Sequence, residues 1–114
     1  MPPALCYAIP MNTLTDPESL QSHLSEGRKT AVLFVLSTCP FCMKFRPLFE
    51  SFARQREADC TFLTVVLDDI RCPLWDEYQI DVVPTVIIFR GNRVEKRIDG
   101  RPGEGLDSGD LDSL

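Results

Sequence analysis

The chain has 114 residues, 44% of them hydrophobic, which suffices for one compact core and is too little for two ordinary domains. A formal net charge of -5 lacks the clustered Lys and Arg that attract phosphate backbones, so no nucleic-acid partner is expected. No stretch approaches the ~20 apolar residues of a membrane span and the first ten residues lack a basic secretory n-region, so the expectation is a cytoplasmic, soluble monomer with no membrane partner.

Cys6 falls in an expected first strand near the N-terminus. Thr15-Asp16-Pro17-Glu18 then reads as a helix start, with Thr15 as cap, Pro17 at an early helical position and Glu18 completing a capping box. Leu20 and Leu24 give that helix one apolar face, and His23, the single histidine, beside Leu24, is read as a surface residue. Gly27-Arg28-Lys29 leads into Ala31-Val32-Leu33-Phe34-Val35-Leu36, a continuous apolar run that suits a strand buried on both faces.

From Pro40 the period changes. Phe41, Phe45, Leu48, Phe49 and Phe52 fall on one side at helical spacing and predict a long amphipathic helix that kinks at Pro47 rather than stopping there. Thr61 to Leu67 predicts a second buried strand, and a short helix is expected near Pro73 to Tyr78. Pro84 to Phe89 and Arg93 to Ile98, joined at Gly91-Asn92, predict an antiparallel hairpin. The order gives an α/β fold with a central mixed sheet flanked by helices. One domain is expected over residues 1–100. Residues 101–114 form an acidic, Gly-rich tail in which Leu106 to Leu114 makes at most a short helix.

Five cysteines, Cys6, Cys39, Cys42, Cys60 and Cys72, make an odd count that fits one reactive pair in a reducing compartment better than a framework of structural bridges. Cys39 and Cys42 are separated by two residues, and the first stands at a strand-to-helix junction. There the unsatisfied N–H groups and the helix dipole favour an anion, and the thiolate is the nucleophile. Cys39 can attack and Cys42 can resolve. Three other readings compete. A zinc site lacks a second pair of ligands, a structural bridge over so short a loop constrains little chain entropy, and turn positions are poor places to bury small hydrophobes. No metal and no cofactor beyond a Cys39–Cys42 disulfide is expected. Cys60 and Cys72 are read as inert thiols.

Taken together, Thr38-Cys39-Pro40-Phe41-Cys42, Pro47, Val83-Pro84-Thr85 ahead of a strand, Phe89-x-Gly91 and Gly100 resemble thioredoxin-like proteins over roughly residues 5 to 100. The resemblance implies the thioredoxin fold and a thiol–disulfide oxidoreductase that reduces or exchanges protein disulfides. It also implies a cis Val83–Pro84 bond facing the Cys pair, with the Val83 backbone open to an extended substrate. Its electron donor would be a thioredoxin-reductase-like or glutathione-dependent system. A different class of reading keeps the fold as a non-catalytic binding or redox-sensing module, with the acidic tail as its interaction segment.

The chain departs from thioredoxins proper in two places and from glutaredoxins in a third. The dipeptide Pro40-Phe41 is closer to glutaredoxins, which predicts a less reducing couple. Leu33 stands where thioredoxins place a buried acid, and Val65-Val66 where they carry its Lys partner, so Cys42 is expected to lack a nearby base. Asp99-Gly100-Arg101 and the order Val83-Pro84-Thr85 do not match the glutathione-binding pattern of glutaredoxins. Phe41 is open to two readings, an apolar docking surface for substrate or a core-facing aromatic, and Lys44 and Arg46 are read as solvated helix charges.

Overall fold

A computed structural model describes residues 12–56, 60–101, 105, 106 and 109. Five strands, β1 (Asn12–Leu14), β2 (Lys29–Val35), β3 (Thr61–Val66), β4 (Thr85–Arg90) and β5 (Arg93–Asp99), form one sheet in the order β1-β3-β2-β4-β5. The β1–β3 and β2–β3 pairs are parallel, and the β2–β4 and β4–β5 pairs are antiparallel. Three helices, α1 (Pro17–Leu24), α2 (Pro40–Arg56) and α3 (Leu74–Glu77), complete the order. Cys6 and the N-terminal strand expected around it lie outside the described residues.

The unbroken apolar run of β2 is explained by its central place in the sheet. Ala31, Leu33 and Val35 face a core shared with Cys42, Phe45, Phe49 and Ala53 of α2. Val32 and Phe34 face the other layer, built on Leu20 and Leu24 of α1 and Leu74 of α3. Period-two alternation therefore divides one hydrophobic strand between two cores.

Helix α1 starts one residue later than the capping box suggests. Asp16 is its N-cap, and its carboxylate accepts from the Ser19 backbone N–H at 2.9 Å. That bond and a second from the Ser19 hydroxyl hold the Asp16 carboxyl below its ordinary pKa. The hairpin turns at Gly91-Asn92, where Gly91 has φ +61 and the flanking Arg90 and Arg93 are paired, as a two-residue connection requires.

Helix α2 runs unbroken across Pro47, but its buried stripe is Cys42, Phe45, Phe49 and Ala53. At roughly 100° per residue, Leu48 falls roughly 100° and Phe41 roughly 85° from the midline of that stripe. Both are exposed, at 39% and 36%. The aromatics on the α2 side form a connected set, with Phe49 and Phe52 each edge-on to Phe62 of β3.

The chain beyond β5 returns to the body. Arg101 and Gly105 exchange two backbone hydrogen bonds, of 3.0 and 2.8 Å, and Leu106 is buried in the α2-side core. Gly109 is helical, and the remainder of 107–114 lies outside the described residues.

Candidate active site

Strand β2 delivers the chain to the Cys pair, and neighbouring β3 holds that delivery in place. The Leu67 N–H donates to the Val35 carbonyl at 2.8 Å. At the next residue, the Asp68 carboxylate accepts from the Ser37 backbone N–H at 2.9 Å and from the Ser37 hydroxyl. Both bonds favour the ionised acid and hold the Asp68 carboxyl below its usual range. The Cys39 N–H then donates to the Leu36 carbonyl at 3.3 Å, closing the turn that places Cys39 immediately before α2.

The two cysteines stand in different surroundings. Cys39 is half-buried and Cys42 is fully buried in the first turn of α2. The Cys42 backbone N–H donates to Cys39 Sγ at 3.3 Å, so one of the amides that a helix start leaves without an intrahelical partner is directed at the first sulfur. Burial pushes the Cys42 thiol up to about 12, reinforced by its hydrogen bond with Cys39 and opposed by the Leu36 backbone and the positive charge of Arg46. Leu33 is fully buried in the same cluster. Across the β2–β3 pair from Leu33 stands Thr64, and Val66 shares the face that Cys42 packs on. Val65 points into the opposite core, so of the Val65-Val66 pair singled out in the sequence only the second adjoins the site.

Val83 and Pro84 form the facing wall. The Val83–Pro84 bond is cis, and Cys39 Sγ lies 3.9 Å from the Val83 carbonyl oxygen, a contact longer than a strong hydrogen bond. Pro84 itself is buried. Thr85 fixes the loop below by donating its hydroxyl to the Val82 carbonyl at 2.7 Å. The structure thus brings Cys39, Cys42 and Val83 together, while Phe41 sits on the exposed flank of the same helical turn.

The other described cysteines are elsewhere. Cys60 precedes β3, whose first residue pairs with Thr30 at the far end of β2, and Cys72 packs in the α1-side core. Among the described residues no group of three or more His, Cys, Asp or Glu is placed to hold a metal ion. Among them, too, no helix is long and apolar enough to cross a membrane.

Three contributors were not singled out from sequence. Asp68 is 31 residues from its partner Ser37, and its only local signal is the Asp68-Asp69 pair that ends a strand. Arg46 reads as one more helix charge, yet its charge reaches Cys42. Gly105 lies in the low-complexity tail and packs on Phe41.

Comparison with known proteins bears on the family and the fold. The family model described as Thioredoxin matches residues 11–108. A thioredoxin of Mycoplasmoides gallisepticum is 35% identical over 89 residues, covering 77% of this chain and 87% of that protein. The crystal structure of Fasciola hepatica thioredoxin superposes with a TM-score of 0.75 at 21% identity, over 90% of this chain and 94% of the other. Mitochondrial Thioredoxin 3 of Saccharomyces cerevisiae superposes with a TM-score of 0.74 at 16% identity, over 90% and 91%. At those identities the two structures speak for the fold, whereas the family match over nearly the whole chain speaks for descent. The chain belongs to the thioredoxin family, as a thioredoxin-like thiol–disulfide oxidoreductase.

Proposed function

We propose that the protein reduces or exchanges protein disulfides through a Cys39–Cys42 dithiol/disulfide cycle. The observation that carries this reading is the asymmetry of the pair: a half-buried Cys39 sulfur receiving the Cys42 N–H at 3.3 Å, above a fully buried Cys42. The Cys39 thiolate attacks one sulfur of a substrate disulfide, forming a Cys39–substrate bond and releasing the other substrate sulfur as a thiolate that takes up a proton. Cys42, losing its proton, then attacks Cys39 Sγ and releases the second substrate thiol. The substrate gains two electrons, and the protein is left with a Cys39–Cys42 disulfide for a dithiol donor to reduce.

Val83, Pro84 and Phe41 are assigned to substrate binding. An extended segment laid beside Val83 would be held through backbone groups, bringing its disulfide toward Cys39. Phe41, exposed next to the pair, supplies apolar contact. The dipeptide Pro40-Phe41 sets the couple less reducing than that of thioredoxins proper, a ranking that equilibration against glutathione measures.

Insulin reduction tests the cycle. Cys39→Ser is expected to abolish turnover, and Cys42→Ser to accumulate a stable mixed disulfide with substrate. Turnover surviving in Cys39→Ser would refute the assignment. Parallel assays supplied with a thioredoxin-reductase or with glutathione identify the donor.

A further inference from the structure

We infer that the end of the sheet farthest from the Cys pair holds a second site, for a small amphiphilic anion: a carboxylate carried on an aromatic or short acyl body. It stands apart from the exchange chemistry, because β2 enters at Lys29 and reaches Val35 roughly 20 Å later, before the turn to Cys39. The site is a cavity of about 350 Å³ between the last turns of α2 and the sheet. That volume falls at the low end of the roughly 300–1,000 Å³ that small-molecule sites occupy.

The floor of the cavity is one row across four strands. Ala31 pairs with Phe62 of β3 on one side and with Ile88 of β4 on the other, and Ile88 pairs in turn with Lys96 of β5. Paired residues present their side chains on a shared face, and Ala31 is the smallest of the four, so the row dips at its middle. Phe52 of α2, edge-on to Phe62, closes the helix side. The base of the hollow is therefore apolar, and a ligand needs an apolar body to gain from filling it.

The rim is cationic. Lys29 stands two residues before Ala31 and so on the same face of β2, and Lys96 ends the cross-strand row. Arg56, four residues after Phe52 in α2, holds its guanidinium 4.5 Å over that ring, which keeps its charge at the cavity edge. Among the described residues lining the cavity the acid is Glu95, and its carboxylate already accepts from Arg90 Nε at 3.0 Å. Three cations thus converge on one apolar hollow in a chain whose formal net charge is -5. A neutral apolar ligand would leave that charge unanswered, and a bare inorganic anion would leave the floor unfilled. An amphiphilic carboxylate answers both.

An NMR titration of the isotopically labelled full chain with phenylpropionate, read by amide shifts, tests the assignment. A saturable one-site response is expected at Lys29, Phe62 and Lys96, with Cys39, Cys42 and Val83 unmoved. Neutral phenylpropanamide should bind about five-fold more weakly, and so should the carboxylate to Lys29→Gln or Arg56→Gln, the size of one lost charge contact. Arg71→Gln removes a side chain that is 88% exposed and does not line the cavity, and should bind like wild type. The wild-type shift map and the comparison of acid with amide need no variant, so misfolding of a variant does not rescue the assignment. Overturning results are no saturable response, shifts centred on Cys39 and Val83, equal affinities for acid and amide, or losses in Lys29→Gln and Arg56→Gln no greater than in Arg71→Gln. Affinity raised about tenfold by Leu111→Ser with Leu114→Ser would also overturn it, because the occupant would then be the chain's own C-terminal end. Every outcome is independent of whether Cys39 supports turnover.

Discussion

The pH dependence of the second step of exchange is the sharpest consequence of the Cys42 environment. A thiol at its ordinary value of 9.0 is thiolate in roughly one molecule per hundred at neutral pH, whereas one raised to about 12 is thiolate in roughly one per 10⁵. Part of that rise comes from the Cys39 thiol and its charge, and it disappears once Cys39 is tied up in a mixed disulfide. Burial, the largest cause, remains, and Leu33, Thr64 and Val66 on the facing strands supply no carboxylate or amine to take the proton. Release of substrate by Cys42 should therefore climb close to tenfold per pH unit across the range from about 6 to 9, with no plateau. An aromatic disulfide whose thiolate is coloured gives the assay. Stopped-flow absorbance resolves a first release as Cys39 is modified and a second as Cys42 resolves, and Cys42→Ser should retain only the first. A second-phase rate that levels off between about pH 6 and 8 would refute the reasoning, because it requires a base at Cys42 or a far better solvated thiol. Leu33→Asp adds a carboxyl to this cluster. It should flatten the profile and raise the rate near neutrality, at a stability cost of about 2–5 kcal/mol for the lost packing of a fully buried leucine.

Other expectations concern stability and positioning. Cys42 and Tyr78 both have pKa values raised to about 12, chiefly by burial, from ordinary values of 9.0 and 10.0. The unfolded chain therefore releases these protons first, and stability should fall as pH rises from about 9 toward 12, with Cys42→Ala and Tyr78→Phe each flattening that limb of a Tm-versus-pH curve. Asp68 works in the opposite direction, since its lowered pKa contributes stability that is present above 3.8 and lost as the carboxyl protonates on acidification. Asp68→Ala should slow alkylation of Cys39 or broaden its kinetics by freeing the Ser37 turn, and Asp68→Asn, which keeps one acceptor for the Ser37 N–H, should do so less. Arg97 donates to the Tyr78 carbonyl at 2.6 Å and the Gln79 carbonyl at 3.3 Å, joining β5 to the end of α3 where Gln79 has φ +51. Arg97→Met should cost about 2 kcal/mol in urea unfolding, and Arg97→Lys should recover part of it.

What the sequence discloses about this fold depends on how local the determining interaction is. The β2 run announces a doubly buried strand because burial on both faces removes every polar residue from it, and the two cores it separates are indeed formed by its alternate residues. The Cys39–Cys42 turn is equally readable, being set within a few residues, whereas the cis Val83–Pro84 bond is implied only by the family resemblance, since the residues around Pro84 read equally as an ordinary strand entry. Legibility fails where a large side chain is taken as evidence of burial. Leu48 looks like a member of the α2 stripe because Phe45 and Phe52 stand three and four residues away, but the midline is set by Cys42 and Ala53, whose small side chains attract no attention. The identity of the residue facing Leu33 fails for a related reason: a one-residue choice along β3 exchanges faces, and only the pairing of Leu33 with Thr64 fixes it. The tail fails most completely. Its composition is that of a solvated segment, and nothing near Leu106 in sequence shows that this one leucine enters the Cys42 core. The missed features share a cause with functional weight: the Ser37–Asp68 anchor and the Gly105–Phe41 packing join parts of the chain 31 and 64 residues apart, and both bear on the few residues around Cys39. Under the exchange reading proposed above, the Cys-Pro-Phe-Cys motif names the two sulfurs, while the anchors around them are assembled from residues whose local patterns carry no sign of it.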